Sequence, residues 1–263
     1  MTEGEFEGKV AIVTGGGRGI GRAVALKLAS SGASVVLAAR TSEQVNAVAK
    51  EGGALNAQAL AVPTDVTIEA QVRSLASRTM ERFGRVDILV NNAGGGGPYR
   101  GPLLEMSVQD WDDVFALNCR SAFLCSREFA PHMIQVGGGV IVNVGSETGR
   151  RPTPWLGHYG AAKFAVWGLT QTLAAELGPK NVRVNAVFPG AIRTDGLEDY
   201  FAKAASQENI TLEAARKRIS SKSPMDRLLE VEEMAEVVHF LSSEASKSLV
   251  GVIVDANGGA LMR

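Results

Sequence analysis

Cysteine is scarce in this chain, and charge of neither sign prevails. Cys119 and Cys125 form no CxxC pair and fit no metal-binding pattern, so we expect free thiols in a reducing, cytoplasmic setting. The 27 lysine and arginine residues are balanced by 28 aspartate and glutamate residues. A chain without a basic excess is a poor candidate for binding nucleic acid or a membrane surface.

Long apolar runs are also missing, and none approaches the length needed to span a membrane. The first residues are polar and acidic, which predicts that they are not a secretory signal. His132, His158 and His239 show no ligand spacing, and we expect no metal site. No internal repeat is visible. These absences favour an ordinary globular domain.

Short apolar, β-rich runs alternate with longer helical patterns along the chain. We predict strands at residues 9–14, 34–38, 58–62, 87–90, 140–144, 182–187 and 250–254. Helical spacing follows residue 20 and covers residues 42–51, 68–83, 108–136 and 159–177. This alternation predicts an α/β fold: a single domain over residues 1–263, with a doubly wound, parallel, seven-stranded sheet and helices on both faces. Residues 191 to about 222 break the rhythm, and they fit either a substrate lid or a surface helix pair.

A glycine-rich turn joins the first strand to the first helix, with the sequence TGGGRGIG at residues 14–21. Glycines allow a tight turn and close approach to a diphosphate, and the following helix offers it unpaired N–H groups. The spacing is GxxxGxG rather than GxGxxG. The turn predicts a dinucleotide site that includes Gly15, Gly17, Arg18, Gly19, Ile20 and Gly21.

The end of the second strand bears on which dinucleotide is bound. NAD sites usually carry Asp or Glu there to bind the ribose hydroxyls. This chain instead has Arg40 and Thr41. Arg40 and Arg18 together are suited to a 2′-phosphate, and we therefore predict NADP(H), with NAD(H) as the alternative. Either arginine taken singly also fits an ordinary surface charge.

The motifs together resemble those of the classical short-chain dehydrogenase/reductase family. TGGGRGIG matches its TGxxxGxG, and NNAG at 91–94 follows the fourth strand as in the family. Ser146 precedes the YxxxK motif of Tyr159 and Lys163 by the family's usual separation, and Pro189-Gly190 with Thr194 matches PGxxxT. The resemblance implies a Rossmann fold, carbonyl–alcohol interconversion with 3-oxoacyl reductases among the similar enzymes, a small-molecule substrate and a homotetramer.

The chemistry of carbonyl reduction needs a proton donor beside the nicotinamide. A tyrosine has an ordinary pKa near 10. Lys163 lies one helical turn after Tyr159 on the same face, and we expect its cation to lower the pKa of Tyr159. By resemblance, Ser146 holds the substrate oxygen, Lys163 also holds the nicotinamide ribose, and Asn118 positions a water that links Lys163 to solvent.

The resemblance also implies further cofactor contacts. Asp65 and Val66 correspond to the family's adenine contact, although Asp65 equally fits the capping region before the next helix. Asn91 corresponds to a residue that steadies the central strands. The remaining implied contacts are Asn92, Ala93, Gly94, Tyr159, Lys163, Pro189, Gly190, Ile192 and Thr194.

Several questions stay open at this level. The loops that would meet substrate span residues 95–101 and 148–157, where Trp155 and Leu156 suggest an apolar wall. Arg150 and Arg151 fit either an anionic substrate or plain surface charge, and His158 is more readily structural than substrate-binding.

The substrate class is undecided among 3-oxoacyl thioesters, general aldehydes and ketones, sugars and steroids. A regulator that binds the cofactor without chemistry is the alternative to an enzyme. Phe164, Trp167 and the region of Cys119 and Phe123 are candidates for the subunit contact.

Overall fold

Seven parallel strands form the centre of the fold in the computed structural model, which describes residues 4–55 and 57–262. They are β1 (Val10–Thr14), β2 (Ser34–Ala39), β3 (Ala59–Pro63), β4 (Ile88–Asn91), β5 (Gly139–Val144), β6 (Val182–Pro189) and β7 (Ile253–Ala256). The central strands are continuous buried runs, as expected when helices cover both faces of a parallel sheet. The predicted α/β, doubly wound fold is confirmed.

Helices connect these strands as right-handed crossovers require. They are α1 (Gly19–Ser30), α2 (Ser42–Ala54), α3 (Glu69–Phe83), α4 (Val108–Phe115), α5 (Ser121–Gln135), α6 (Gly157–Leu177), α7 (Asp195–Glu208), α8 (Leu212–Ser220) and α9 (Val231–Ser242). Between α4 and α5, residues Ala116–Arg120 form a π-helical segment, so the predicted helix over 108–136 is nearly continuous but not uniform.

The strand order explains where a ligand can bind. The sheet runs β3-β2-β1-β4-β5-β6-β7, so the chain first moves outward from β1 in one direction and then returns to build the other half from β4. The connections after β1 and after β4 therefore diverge, and a crevice opens between them at the carboxyl ends of the strands.

The two faces of the sheet carry separate apolar cores. On one face, α1 and α9 bury Val24, Leu28, Val238 and Leu241 against the strands. On the other, α3, α5 and α6 contribute Leu75, Phe129, Met133 and Leu177. Burying such side chains is the main favourable contribution to folding. It holds the strand ends rigidly enough to position side chains at the crevice.

One helix, α9, was not predicted from the sequence, and the last strand begins later than predicted. No helix was predicted between 222 and 250, yet α9 lies there and packs along α1. The last strand was predicted at 250–254 but begins at Ile253. Gly251 has a positive φ of 73°, a left-handed conformation that interrupts an extended strand; its N–H still donates to Val184 O on β6 at 2.8 Å, but the regular strand begins only at Ile253.

The segment 191–222 forms the helix pair α7 and α8. Phe201, Ala215 and Leu228 make a small core of their own under this pair. Thr194 caps α7, its Oγ1 accepting from the backbone N–H of Leu197 at 3.3 Å. α7 therefore begins at a capped residue shortly after the end of β6, while its body packs mainly within the helix pair.

Candidate active site

The glycine-rich turn after β1 is shaped as a cradle for an anion. Gly15 and Gly19 have positive φ values of 65° and 53°, which side chains rarely tolerate. Arg18, the residue before α1, offers no side-chain cap to the first turn of the helix. The N–H groups of that turn are thus available to a ligand phosphate.

Hydrogen bonds lock this turn to the NNAG turn after β4. The Oγ1 of Thr14 accepts from the backbone N–H groups of Asn92 and Ala93, both at 3.0 Å. The side-chain amide of Asn92 donates to the carbonyl oxygen of Thr14 at 2.9 Å. A Cβ on Gly15 would lie only 2.7 Å from Asn92 Nδ2. Glycine is therefore required where the two turns meet.

The end of β2 presents positive charge and no acid to the crevice. Arg18 and Arg40 are both exposed and border it. Within the described part of the chain, neither guanidinium makes an ion pair. Gln44, on the first turns of α2, packs against the glycine turn: a Cβ on Gly17 would lie 2.9 Å from Gln44 Cβ.

Asp65 supports the turn before α3 and also borders the crevice. Its Oδ1 accepts from the backbone N–H of Thr67 at 2.9 Å and from the Thr67 hydroxyl at 2.7 Å, which braces the turn before α3. It also borders the crevice, next to Val66. The carboxylate therefore holds the turn and stays within reach of a ligand.

Tyr159, Ser146 and Lys163 meet at the other end of the crevice. Ser146 lies two residues after the end of β5, and its Oγ accepts from Thr148 N at 3.2 Å. Ser146 and Tyr159 both line the crevice. The Nζ of Lys163 donates to the carbonyl oxygen of Val144 at 2.7 Å and lies 5.8 Å from the centre of the Tyr159 ring. Because Tyr159 and Lys163 lie one turn apart on α6, the phenol of Tyr159 and the ammonium of Lys163 come together at this end of the crevice.

The expectation that Lys163 lowers the pKa of Tyr159 is wrong for this arrangement. The pKa of Tyr159 is raised, because burial of the phenol outweighs the hydrogen bond from Ser146 and the positive charge of Arg100, which both lower it. Burial also lowers the pKa of Lys163 to about 8. The phenol therefore carries its proton at neutral pH.

Asn118 lies just behind this group, in the π-helical segment. Asn118 Nδ2 donates to the carbonyl oxygen of Val114, one turn earlier, at 2.7 Å. The same amide donates to Gly95 O at 2.8 Å, while Asn118 Oδ1 accepts from Gly95 N at 3.1 Å. A Cβ on Gly94 would lie 2.7 Å from Asn118 Oδ1 and 2.9 Å from Lys163 Nζ, so only glycine leaves the space between these two groups open.

Three candidate substrate contacts turn out to be structural. Arg150 pairs with Asp255 at 2.6 Å and lies over the ring of Trp167. Arg151 pairs with Glu147 at 2.8 Å. His158 is fully buried, and its Nε2 lies 2.9 Å from Gly96 O.

Asn91 has the role of steadying the central strands that the resemblance implied. Its Nδ2 donates to Asn143 Oδ1 on β5 at 2.9 Å and to Ser126 Oγ on α5 at 3.0 Å. These buried bonds join β4 to β5 and to the helix above them. The NNAG turn is thus held by the bonds of Asn91 to β5 and α5 as well as by the bonds to Thr14.

One crevice of about 590 Å³ connects these features. Its lining includes all the predicted cofactor contacts, namely Gly15, Gly17, Arg18, Gly19, Ile20, Gly21, Arg40, Thr41, Asp65, Val66, Asn92, Ala93, Gly94, Tyr159, Lys163, Pro189, Gly190, Ile192 and Thr194. Ser146 also lines it, while Asn118 does not. Gln44, Thr64, Leu117 and Gly145 line the crevice as well and were not predicted. Thr64 and Gly145 directly follow β3 and β5, and this position could have indicated them, whereas Gln44 and Leu117 lie in helical segments.

The crevice suits an elongated dinucleotide. The turn at one end exposes N–H groups for a diphosphate, Arg18 and Arg40 line the crevice beside that turn, and Tyr159 with Lys163 lies at the other end. Over residues 4–55 and 57–262, no group of three or more His, Cys, Asp or Glu side chains is arranged to hold a metal ion. Among those same residues, no helix is long and apolar enough to cross a membrane.

Comparison with known proteins gives consistent matches along the chain. The family model described as short chain dehydrogenase matches residues 9–205. The 7alpha-hydroxysteroid dehydrogenase of Escherichia coli K12 is 37% identical over 256 residues, covering 97% of this chain and 95% of that protein. A 3-oxoacyl-(acyl-carrier-protein) reductase of Thermotoga maritima is 35% identical over 258 residues, covering 98% of this chain and 99% of that protein.

Solved structures agree with the sequence matches. A 7alpha-hydroxysteroid dehydrogenase complexed with NADH and 7-oxo glycochenodeoxycholic acid superposes with a TM-score of 0.90 at 35% identity, covering 100% of this chain and 99% of that one. Levodione reductase gives a TM-score of 0.90 at 35% identity, with 97% and 98% covered. The chain therefore belongs to the short-chain dehydrogenase family of oxidoreductases, which bind a nicotinamide cofactor and interconvert carbonyl and alcohol groups.

Proposed function

We propose that this protein is an NADP(H)-dependent carbonyl reductase with Tyr159 as its proton donor. The observation that carries the proposal is the meeting of Tyr159, Ser146 and Lys163 at one end of a crevice whose other end is the glycine turn. A nicotinamide held there supplies the hydride for reduction and accepts it in the reverse reaction. The protein must then supply the proton and hold the carbonyl still.

The roles of the four catalytic candidates follow from their contacts. Tyr159 carries its proton at neutral pH and donates it to the substrate oxygen, and Ser146, which lines the crevice with Tyr159, holds that oxygen in place. Lys163 is anchored at Val144 O and keeps a replacement proton beside the phenol. Asn118, held by Gly95 and Val114, fixes the far side of the space around Lys163 Nζ.

A panel of ketones, aldehydes and alcohols, assayed with both NADPH and NADH, tests the proposal. Turnover of carbonyl compounds with tight NADPH binding is the expected result. The matched relatives act on different substrates, a steroid and a 3-oxoacyl thioester by their names, so the panel must include both types. Binding of NADPH without turnover of any member would instead favour a regulator that has the fold but no chemistry.

The preference for NADP(H) is supported by Arg18 and Arg40 and by the lack of an acid after β2. Arg40→Asp is expected to lower the ratio of kcat/KM for NADPH to that for NADH by at least about tenfold, because a charge-assisted phosphate contact is lost. Arg78→Asp, an equal charge change on an exposed part of α3 outside the crevice, is the matched control. A ratio that stays the same in Arg40→Asp would remove the phosphate assignment and favour NAD(H).

We further propose that residues 191–222 act as a lid over the substrate. The start of α7 lines the crevice through Asp195, Gly196 and Leu197, while the body of the pair packs on its own small core. Such a segment can move with little disturbance of the sheet. Slower hydrogen exchange in α7 and α8 on NADPH binding would support the lid, and unchanged exchange would leave a plain surface helix pair.

A homotetramer is proposed on the exposed apolar surface of α5 and α6. Phe164 is 59% exposed, and Phe123 on α5 is exposed as well; Phe164 also packs edge-on against Trp167, with ring centres 5.6 Å apart. Light scattering should give four times the chain mass of 27.7 kDa. Phe164→Asp should reduce that mass, whereas Leu104→Asp, at an exposed residue outside these helices, should not. A monomeric mass for the unmodified protein would refute this assembly.

The free, buried Cys125 is compatible with the predicted cytoplasmic location.

A further inference from the structure

The loop of residues 95–101 is fastened to the start of α6, one residue before Tyr159. His158 Nε2 lies 2.9 Å from Gly96 O, and the ring of Tyr99 meets the His158 ring edge-on at 6.2 Å. Leu103, just beyond the loop, is so close to Gly157 that a Cβ there would lie 2.9 Å from it. The loop therefore has a fixed position relative to the phenol.

Arg100 is held in this loop by one end of its guanidinium. Its Nη1 donates to the carbonyl oxygens of Gly96, Gly97 and Tyr99 at 2.9, 2.8 and 2.7 Å. Its Nε and Nη2 donate to no residue that the structure describes. They form the planar edge of a guanidinium that binds two carboxylate oxygens at once. The hydrogen bonds thus orient the group and leave its binding edge open.

The charge of Arg100 is also not neutralised. Over residues 4–55 and 57–262 no carboxylate forms an ion pair with it. The arginines on the neighbouring strand ends differ: Arg150 pairs with Asp255, Arg151 with Glu147, and Arg193 with Glu198 and Glu230. Like Arg18 and Arg40 at the other end of the crevice, Arg100 thus keeps an unpaired charge, and its guanidinium is oriented by the bonds from Nη1.

Arg100 and Tyr159 interact with each other electrostatically. Burial lowers the pKa of Arg100, and the phenol of Tyr159 opposes that change. In turn, burial raises the pKa of Tyr159, and Arg100 acts in the lowering direction. Geometry supports this proximity: Gly96 O accepts from Arg100 Nη1 at 2.9 Å and also lies 2.9 Å from Nε2 of His158, the residue before Tyr159. An anion bound at Arg100 would thus lie close to the first turn of α6, which carries the phenol.

Apolar side chains surround the approach to this point. Leu103 lies against Gly157, Trp155 precedes Gly157 by two residues, and these side chains are 54% and 65% exposed. Trp155 has a φ of 65°, which is strained for a bulky residue and is typical of functional loops. A substrate with an apolar body would cover both side chains.

We infer that Arg100 selects substrates that carry a carboxylate on an otherwise apolar ketone. The inference rests on the proposed carbonyl reductase function and adds a specificity-determining residue to it. The planar edge of Arg100 holds the carboxylate, Leu103 and Trp155 cover the apolar body, and the ketone oxygen reaches Tyr159 and Ser146.

The test compares 5-oxo-5-phenylpentanoate with its uncharged methyl ester, together with homologues one carbon shorter and longer. We expect a kcat/KM for the best acid at least about tenfold above that for its ester, as a charge-assisted contact provides. Arg100→Met should bring the two values together by lowering the value for the acid. Arg100→Lys should keep part of the preference, since the charge remains but the planar edge does not.

Arg151→Met is the matched control, because its guanidinium is already paired with Glu147, and it should leave the acid-to-ester ratio unchanged. An equal loss for acid and ester in Arg100→Met would mean that Arg100 only braces its loop, and the inference would fall. A wild-type ratio near one across the series would overturn it too. Where no ketone is turned over, calorimetry of the same acid and ester with NADPH bound separates the two proposals. Acid-selective binding lost in Arg100→Met keeps the inference while the reductase function fails, and equal or absent binding of the acid refutes it.

Discussion

Tyr159→Phe is expected to lower kcat/KM for carbonyl reduction by about 10²- to 10⁴-fold, the usual contribution of a general acid. The phenol of Tyr159 is protonated at neutral pH because burial raises its pKa, and phenylalanine removes only that donor. The ring and its packing beside Lys163 remain. Affinity for NADPH should therefore change little, and the loss should appear in kcat more than in KM.

Steady-state kinetics and NADPH titration on the same preparation measure the two quantities. Ser77→Ala is the control: it removes a hydroxyl from an exposed residue on α3, outside both the crevice and residues 191–222, and its effect should stay small. Melting temperatures should be similar for all three proteins. A Tyr159→Phe variant that kept a tenth or more of its activity would mean that another group donates the proton.

The regular part of the fold was predictable because each strand and helix has a local pattern. Helical spacing of Val24 and Leu28 and the buried run of β1 depend only on nearby residues. The helix α9 was missed although its signals are local: Glu232 and Glu233 stand in its first turn, and Met234, Val238 and Leu241 recur at helical spacing. This miss therefore reflects an overlooked pattern and not a limit of the sequence.

The candidate site was predictable where glycines and motif spacing define it, and not where distant residues meet. The pairing of Arg150 with Asp255 joins residues 105 positions apart, so the sequence could not decide between substrate contact and structural pair. The same applies to the pKa of Tyr159. Helical spacing places Lys163 nearby, but the direction of the change depends on burial, which arises only in the folded protein.

Lys163→Met has the second large expected effect, with opposite consequences for activity and stability. Activity should fall by about 10²-fold or more, because the proton beside Tyr159 is lost. The ammonium is almost completely buried, and its pKa is lowered to about 8 by that burial. Below that pH the folded protein bears the cost of a buried charge, of the order of 3 kcal/mol. Removing this charge stabilises the fold by that amount. The loss of the hydrogen bond to Val144 O destabilises it by about 1–3 kcal/mol. At pH 7 the variant should thus be at least as stable as the parent.

The pH dependence separates these contributions. Since the pKa is lower in the folded state than in the unfolded chain, the unfolded chain binds more protons between pH 8 and 10.5, and the stability of the parent rises with pH across that window. Lys163→Met lacks this gain. Its stability relative to the parent should therefore fall by about 3 kcal/mol as pH rises from 7 to 10.5, measured by urea unfolding at each pH.

Comparing variant with parent cancels the other groups that titrate in the same range. Lys50→Met, which removes an exposed positive charge from α2, should show no such change with pH. A stability difference between Lys163→Met and the parent that stayed constant from pH 7 to 10.5 would mean that Lys163 is not a strained ammonium in the folded protein. Burial of Lys163 would then not lower the stability of the folded protein. If the difference does fall, the fold carries at neutral pH a destabilising charge whose evident use is to keep a proton beside Tyr159.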